Sequence, residues 1–111
     1  MYSLAITNIA EEDILNTVYY IANVLKAPAA ANNLLDEIER HEEILENTPN
    51  MYPFVPDEYL AQKGLKFTRI KNYLMFYVIN ENEKNVTVIR FLYNRRDWKN
   101  ILRADEICPS T

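Results

Sequence analysis

The chain has 111 residues, of which 49% are hydrophobic and 25% charged, a composition that predicts a single globular domain over residues 1–111. It contains one glycine, Gly64, which excludes the glycine-rich loops that P-loop and dinucleotide-binding proteins use to hold phosphates. No apolar run is long enough for a transmembrane helix, no signal peptide is evident, and the single cysteine, Cys108, permits no internal disulfide, so we expect a cytoplasmic protein.

The net charge of −4 conceals an uneven distribution of charge along the chain. Residues 1–60 carry eleven acidic side chains against Lys26 and Arg40, whereas residues 61–111 carry ten basic side chains against five acidic ones. The two parts therefore have formal charges of −9 and +5. The basic part attracts an anionic partner if its charges share one surface. Alternatively, the acidic and basic parts attract each other across the fold.

The first half of the chain predicts a short strand followed by two helices. Residues 2–9 begin with a short β-like segment, which Thr7 and Asn8, two residues that suit a turn or a helix cap, bring to an end. Apolar residues then recur at helical spacing and predict a helix over residues 10–26, and Pro28 begins a second helix over residues 28–47. We expect the two helices to pack as an antiparallel hairpin, because the connection between them is short. The positions expected to face the core are Ile14, Leu15, Val18, Ile21, Ala22 and Leu25 in the first helix and Ala31, Leu34, Leu35, Ile38, His41 or Glu42, and Leu45 in the second.

The second half of the chain predicts a small sheet. Its elements are strands over residues 65–70, 73–79 and 86–93 and a short helix or turn over residues 95–104. The middle strand is apolar on both faces, which is typical of a strand at the centre of a sheet. Short connections, including a tight turn at Lys71 and Asn72, make the three strands an antiparallel meander. The predicted fold class is therefore α+β: an N-terminal strand, an antiparallel two-helix hairpin, a three-stranded antiparallel meander and a short C-terminal helix.

The residues that follow the last predicted strand give the strongest indication of a functional surface. Arg95 and Arg96 stand side by side between Tyr93 and Trp98. If Asn94 caps a terminal helix, both arginines lie in its first turn, where the helix dipole disfavours a cation by about 0.3–1 kcal/mol. A sequence that tolerates this effect is expected to use the charge for contact with an anion such as nucleic acid, phosphate or an acidic protein segment. The alternative is two solvated side chains whose aliphatic stems cover apolar neighbours.

Two segments of the chain resemble the RelE/ParE family of type II toxin–antitoxin toxins. They are NYLMFY, residues 72–77, in the middle strand and FLYNRRDW, residues 91–98, at the end of the last strand. The N-terminal strand and helical hairpin fit the same family, so the resemblance extends over nearly the whole chain. It implies a growth-inhibiting toxin of the plasmid-stabilisation type, which a cognate antitoxin wraps and blocks. Within the family, RelE-like members cut mRNA in the ribosomal A site, whereas ParE-like members inhibit DNA gyrase.

The residues that RelE-like nucleases use are missing from their expected places. Metal-free RNA cleavage needs a base for the 2′-hydroxyl, cations for the developing phosphorane-like charge and an acid for the leaving oxygen. Leu74 stands where RelE-like nucleases tend to carry an arginine, and Asn100 and Ile101 stand near the place of their C-terminal tyrosine. The only histidine, His41, lies among acidic residues of the second predicted helix and is expected to be non-catalytic. We therefore expect a gyrase-type inhibitor that acts by protein binding, with a ribosome-dependent mRNA endonuclease and a non-toxic binding module as alternatives.

The candidate site combines basic residues of the predicted meander with those that follow it. Arg69 and Arg90 each interrupt an otherwise apolar or β-branched strand, so each is expected to reach solvent, a carboxylate or a ligand. Tyr77, Tyr93 and Trp98 are expected to pack on the sheet, although either tyrosine would serve proton transfer in a nuclease. The candidates for binding the target or the antitoxin are Lys66, Arg69, Arg90, Arg95, Arg96, Trp98 and Lys99, and the candidates for catalysis, if the protein is a nuclease, are Arg69, Arg90, Tyr93, Arg95 and Arg96. No cofactor, metal or membrane partner is expected, and a homodimer is left open.

Overall fold

The computed structural model describes residues 1–105; residues 106–111, with Cys108 among them, lie outside the described part. The elements in chain order are β1 (Ser3–Ile6), α1 (Asn8–Tyr19), a π-helical segment (Tyr20–Val24), α2 (Pro28–Asn47), a 3₁₀ turn (Pro49–Met51), α3 (Glu58–Gln62), β2 (Lys66–Ile70), β3 (Tyr73–Asn80), β4 (Asn85–Tyr93) and α4 (Trp98–Ala104). This order confirms the predicted α+β class, from the N-terminal strand to the short C-terminal helix. No helix of the described residues is long and apolar enough to cross a bilayer.

Within residues 1–105, four strands form one sheet in the order β1-β4-β3-β2. β2, β3 and β4 make the predicted antiparallel meander, and β1 joins the free side of β4 in the parallel direction. The pairing of β1 with β4 stops at Ile6 and Val88, so the second half of β4 extends beyond β1. Opposite Phe76 and Tyr77, a bulge adds Ile89 to β4 as an extra residue. Because side chains alternate between the two faces of a sheet, the extra residue places the side chains that follow it on the opposite face from the one that an unbroken alternation would give.

Helices cover both faces of the sheet. α1 and α2 pack on one face, where Ile14, Leu34 and Ile38 meet Met75 and Phe91 in a buried cluster. On the other face, α3 and α4 enclose a second cluster that contains Val55, Leu60, Leu65, Leu74, Phe76, Val78, Leu92 and Leu102. β3 contributes to both clusters, which confirms that it is central and apolar on both faces. Each fully buried large apolar side chain stabilises the fold by roughly 1.5–3 kcal/mol.

Local sequence explains where the helical hairpin begins and where it turns. The Thr7 hydroxyl caps α1 by accepting a hydrogen bond from the Ala10 N–H at 3.1 Å. After the π-helical segment, Lys26 takes a positive φ of 54° and reverses the chain. Pro28 then begins α2, at a position where its missing N–H would have had no partner within the helix.

The outer side of the hairpin is more apolar than the sequence predicts. Leu15, Leu25 and Leu35 were expected to face the core, and this prediction is wrong because they are 60%, 56% and 37% exposed. Leu25 follows a π-helical segment, which changes the angular spacing of the side chains. Leu15 and Leu35 each follow a buried residue, Ile14 and Leu34, and lie about 100° further around their helices. A stripe drawn at α-helical spacing therefore assigns too many residues to the core.

α3 is an element that the sequence pattern does not predict. The Asp57 side chain caps it by accepting a hydrogen bond from the Leu60 N–H at 3.1 Å. The helix has five residues, of which Leu60 is buried in the second cluster. One short helical turn leaves no periodic signal in the sequence, so this segment is indistinguishable from a loop.

The start of α4 differs from its prediction and changes the reading of the arginine pair. The helix begins at Trp98 with Asp97 at the N-cap position, so Asn94 is not its cap. Arg95 and Arg96 lie in the turn between β4 and α4, and the prediction that they occupy the first helical turn is wrong. Because both arginines precede the helix, neither occupies the first-turn position at which the helix dipole disfavours a cation.

Candidate functional site

Two turns at one end of the sheet bring exposed basic side chains together. Tyr73 pairs with Tyr93 across β3 and β4. The next amide along, the Asn94 N–H, donates to the Asn72 carbonyl oxygen at 2.9 Å, so the β2–β3 turn lies against the turn that precedes α4. The exposed basic residues of these two turns and their flanks, here named the cationic end, are Arg69, Lys71, Arg95, Arg96 and Lys99.

Within residues 1–105, no side-chain charge of the cationic end lies within ion-pair distance of a carboxylate. Arg69 donates from Nε to the Lys71 carbonyl oxygen at 2.8 Å, and Lys99 Nζ lies 5.7 Å from the centroid of the Trp98 ring. The guanidinium groups of Arg95 and Arg96 make no hydrogen bond or ion pair with a described residue. Such a concentration of unpaired positive charge produces a local potential that favours an anionic partner.

Arg90 lies on β4, the strand that leads to Arg95 and Arg96, but its side chain is in a different environment. Its Nε and Nη2 donate to the two carboxylate oxygens of Asp13 at 2.7 and 3.1 Å, and its Nη1 donates to Asp105 Oδ2 at 2.8 Å. Asp13 Oδ2 also accepts the Phe91 N–H at 3.1 Å. The residue is 8% exposed, and the hydrogen bonds to Asp13 raise the pKa of the Arg90 guanidinium. Arg90 therefore joins α1, β4 and the end of α4, and two carboxylates already balance its charge.

Lys66 and Trp98 are also held by internal contacts. Lys66 is 9% exposed, and its Nζ donates to the Tyr52 carbonyl oxygen at 2.9 Å while lying 3.9 Å from the centroid of the Phe54 ring. Trp98 packs half-buried against Phe76 with 5.2 Å between ring centroids, as expected for a residue that anchors the core. Of the predicted binding residues, the structure gathers Arg69, Arg95, Arg96 and Lys99 at the cationic end and places Lys66 and Arg90 inside the fold.

A cleft of about 770 Å³ opens beside the cationic end, between α1 with its π-helical extension and the edge of the sheet. Tyr20, Tyr73 and Tyr93 line it together with Leu25 and Arg96. Burial, with the nearby Tyr93 and Tyr20, raises the pKa of Tyr73, so its hydroxyl stays protonated near neutral pH. The cleft, here named the tyrosine cleft, adjoins the cationic end because Arg96 belongs to both.

The histidine of α2 contacts its own helix and a neighbouring aromatic ring. The Nδ1 atom of His41 lies 2.9 Å from the Glu37 carbonyl oxygen, and the ring stacks on Tyr52 at 6.2 Å between centroids. Among residues 1–105, no group of three His, Cys, Asp or Glu side chains is arranged to hold a metal ion. The acidic residues of this helix are exposed or partly exposed.

A family model described as the ParE toxin of the type II toxin–antitoxin system parDE matches residues 4–98. The chain belongs to the ParE toxin family. The match begins in β1 and ends at the first residue of α4, so it includes the arginine pair of the cationic end. It confirms the predicted RelE/ParE resemblance and identifies the protein as the toxin of a type II toxin–antitoxin system. A search of curated proteins found no match.

Solved structures of toxin–antitoxin complexes share this fold. The chromosomal ParDE system from P. aeruginosa matches with a TM-score of 0.64 at 20% identity, covering 84% of this chain and 96% of that one. The toxin–antitoxin complex RelBE2 from Mycobacterium tuberculosis gives 0.58 at 17% identity, with coverages of 83% and 90%. The archaeal RelE–RelB complex from Pyrococcus horikoshii gives 0.55 at 14% identity, with coverages of 86% and 97%. At these identities the likeness is one of fold, and it confirms the predicted RelE/ParE-like architecture.

Sequence reasoning misses two features of this ParE-family toxin. Asp13 follows two glutamates at a helix start, so the sequence shows it only as an acid suited to that position. Its role as the partner of Arg90 was indicated only by Arg90 itself, because an arginine within an apolar strand is expected to need a carboxylate. The tyrosine cleft is also missed, and its signal was the cluster of apolar residues at Tyr20 and Leu25 where the predicted helix ends.

Proposed function

We propose that this toxin inhibits DNA gyrase by protein–protein binding, and that the cationic end forms part of the surface that contacts the target. The observation that carries this proposal is the exposed Arg95–Arg96 pair, which has no carboxylate partner among the described residues, whereas Arg90 and Arg103 are each paired with aspartate. Membership in the ParE family supports gyrase as the target.

Three features argue against the alternative of a ribosome-dependent mRNA endonuclease. Arg90, a catalytic candidate for that reaction, is balanced by two carboxylates. Leu74, at the place where RelE-like nucleases tend to carry arginine, is buried in the apolar cluster under α3 and α4. The Tyr77 hydroxyl donates to the Pro49 carbonyl oxygen at 2.7 Å, and burial raises the pKa of Tyr77, which opposes a role as a base at neutral pH.

The protein is further proposed to be neutralised by a cognate antitoxin. The similar structures from P. aeruginosa, M. tuberculosis and P. horikoshii are toxin–antitoxin complexes, which supports such a partner for this chain. An acidic, amphipathic antitoxin segment complements the cationic end and orders as it binds. Because gyrase and antitoxin act in the cytoplasm, the proposal assigns the protein to that compartment. A homodimer stays a prediction.

Two assays with the purified toxin separate the proposed target from the alternative. In the first, the toxin is added to gyrase and relaxed plasmid; we expect loss of supercoiling and accumulation of cleaved DNA. In the second, it is added to a cell-free translation reaction; we expect intact mRNA. Cleavage of mRNA in the ribosomal A site with unaffected gyrase would contradict the proposal in favour of the nuclease. No effect in either assay would contradict it in favour of a non-toxic binding module.

A further inference from the structure

A second cleft, of about 450 Å³, opens between α1 and α2. Its lining is largely apolar: Ile14 and Ile38 are buried there, whereas Leu15 and Leu35 are 60% and 37% exposed. Exposed leucines that border a cleft offer apolar surface to a partner. The helical hairpin thus presents apolar surface that stays uncovered in the described part of the chain.

Four carboxylates line the second cleft beside this apolar surface. They belong to Glu11 of α1 and to Asp36, Glu39 and Glu42 of α2, and the lining contains no basic residue. Within residues 1–105, none of the four lies within ion-pair distance of a lysine or an arginine. A partner that complements the second cleft therefore combines positive charge with an apolar group.

The cationic end of the toxin itself has this composition. Its lysines and arginines have no carboxylate partner among the described residues. Tyr93, which is 41% exposed, directly precedes the turn that carries Arg95 and Arg96. The cationic end therefore matches the second cleft in charge and also offers an exposed ring to its leucines.

One copy of the toxin cannot bring these two surfaces together. The tyrosine cleft, which shares Arg96 with the cationic end, is lined by Asp13 and Asn16 of α1, whereas the second cleft is lined by Glu11 and Leu15 of the same helix. At about 100° of rotation per residue, these two pairs lie on opposite sides of α1. A contact between the cationic end and the second cleft therefore joins two copies.

We propose that the second cleft binds the cationic end of a second copy of the toxin. Arg95 and Arg96 of one copy lie against the carboxylates of Asp36 and Glu39 of the other, and Tyr93 packs on the exposed leucines. The two surfaces are different, so the contact is head-to-tail. It covers the arginine pair and withholds the associated toxin from its target, and this consequence alone rests on the proposed function.

The first test is sedimentation equilibrium of the full-length toxin in a reducing buffer, from about 10 µM to about 1 mM protein. Exposed ion pairs are weak and are screened by salt, so we expect reversible self-association at about 0.05 M salt that weakens by at least roughly tenfold at about 0.5 M. A toxin that is monomeric over the whole range at low salt overturns the inference. Self-association that salt leaves unchanged overturns it as well.

Two variants each remove one side of the contact. Asp36→Asn/Glu39→Gln, the cleft variant, neutralises two exposed carboxylates of the second cleft, and Arg95→Ala/Arg96→Ala, the arginine variant, removes two exposed cations. We expect each variant alone to self-associate at least roughly tenfold more weakly than the wild type. Wild-type association by either variant overturns the inference.

The matched control for the cleft variant is Glu12→Gln/Glu43→Gln. It makes the same change in net charge at two exposed carboxylates that do not line the second cleft. The control should associate like the wild type, and equal association by the control and the cleft variant overturns the inference. A cleft variant that keeps wild-type association and loses antitoxin binding also overturns it, and assigns the second cleft to the antitoxin.

An equal mixture of the two variants tests whether the contact joins unlike surfaces. The cleft variant keeps an intact cationic end and the arginine variant keeps an intact second cleft, so one wild-type contact can form between them. We expect pairs with one copy of each, held at least roughly tenfold more tightly than either variant holds itself. A mixture that associates no better than its separate components overturns the inference.

The outcomes distinguish this inference from the proposed function. A toxin that self-associates as expected but leaves gyrase active keeps the contact between copies and rejects the target. A toxin that stays monomeric and inhibits gyrase keeps its proposed function and loses the contact.

Discussion

Among single residues, Asp13 has the most consequential contacts in this toxin. Its carboxylate accepts two hydrogen bonds from Arg90 and a third from the Phe91 N–H. Phe91 lies in the part of β4 that extends past its pairing with β1. The side chains of Arg90 and Asp13 are 9% and 13% exposed, so solvent screens the pair only weakly. Removal of one partner from such a pair leaves a desolvated charge behind, which is more damaging than the loss of a surface contact.

Asp13→Ala is therefore expected to lower the free energy of unfolding by about 3 kcal/mol, measured by urea denaturation at neutral pH. The matched control is Arg40→Ala, which removes an ion pair with Glu37 in which the arginine side chain is 64% exposed. That control is expected to change stability by less than about 1 kcal/mol. Similar losses for the two variants would contradict the structural role assigned to Asp13.

Among the elements, α3 and α4 depend on each other through one carboxylate. Asp57 caps α3 by accepting the Leu60 N–H at 3.1 Å and accepts from Arg103 of α4 at 2.9 Å. The hydrogen bond from Leu60, followed by that from Arg103, lowers the pKa of Asp57 despite its partial desolvation. The two short helices that cover the second face of the sheet are thus joined at a charged residue.

Asp57→Asn tests this joint through its pH dependence. Because the folded-state pKa lies below the ordinary value of 3.8, the stabilisation is fully present above that value and is lost as the pH falls through the folded pKa. We expect the wild type to be more stable than the variant at neutral pH and the difference to shrink below about pH 4. Asparagine keeps the cap, so the variant isolates the charge. Urea unfolding across this range measures the effect, and a pH-independent difference would contradict it.

The sequence predicts the helices and strands that are marked by residues within the element or directly beside it. Thr7 and Pro28 mark helix starts, and the apolar run of β3 marks a central strand. The parallel pairing of β1 with β4 is a long-range contact that no local pattern encodes. The same holds within the candidate site: the exposed arginine pair was predicted, but the partner of Arg90 lies 77 residues away in the sequence. The position of α4 is missed because both Asn94 and Asp97 are suitable caps.

Over the whole molecule, positive and negative charges are separated. Glu11, Asp36, Glu39 and Glu42 line a second cleft of about 450 Å³ between α1 and α2. Burial, followed by the nearby Glu39 and Glu46, raises the pKa of Glu42, which is consistent with a crowded acidic surface. The cationic end lies instead at the β2–β3 turn and at the turn that follows β4. An acidic partner is therefore steered to one end of the molecule.

The separation of charge predicts a strong salt dependence of the association rate with an acidic antitoxin. Raising the ionic strength from about 0.02 to about 0.2 M is expected to slow association by roughly tenfold, because exposed charges are screened over about 10 Å or less. Stopped-flow mixing of toxin and antitoxin measures this rate. Arg95→Ala with Arg96→Ala should give a shallower dependence, and an unchanged slope would show that the steering charges lie elsewhere.

The most direct test of the account is growth inhibition by the Arg95→Ala/Arg96→Ala variant after induction in cells. Both residues are exposed and unpaired among the described residues, so the variant should keep its stability within about 1 kcal/mol of the wild type. The matched control, Arg40→Ala/Lys63→Ala, removes the same charge away from the cationic end. We expect the first variant to fold and lose growth inhibition and the control to inhibit growth like the wild type. Full growth inhibition by a folded Arg95→Ala/Arg96→Ala variant would contradict the assignment of the cationic end as the working surface.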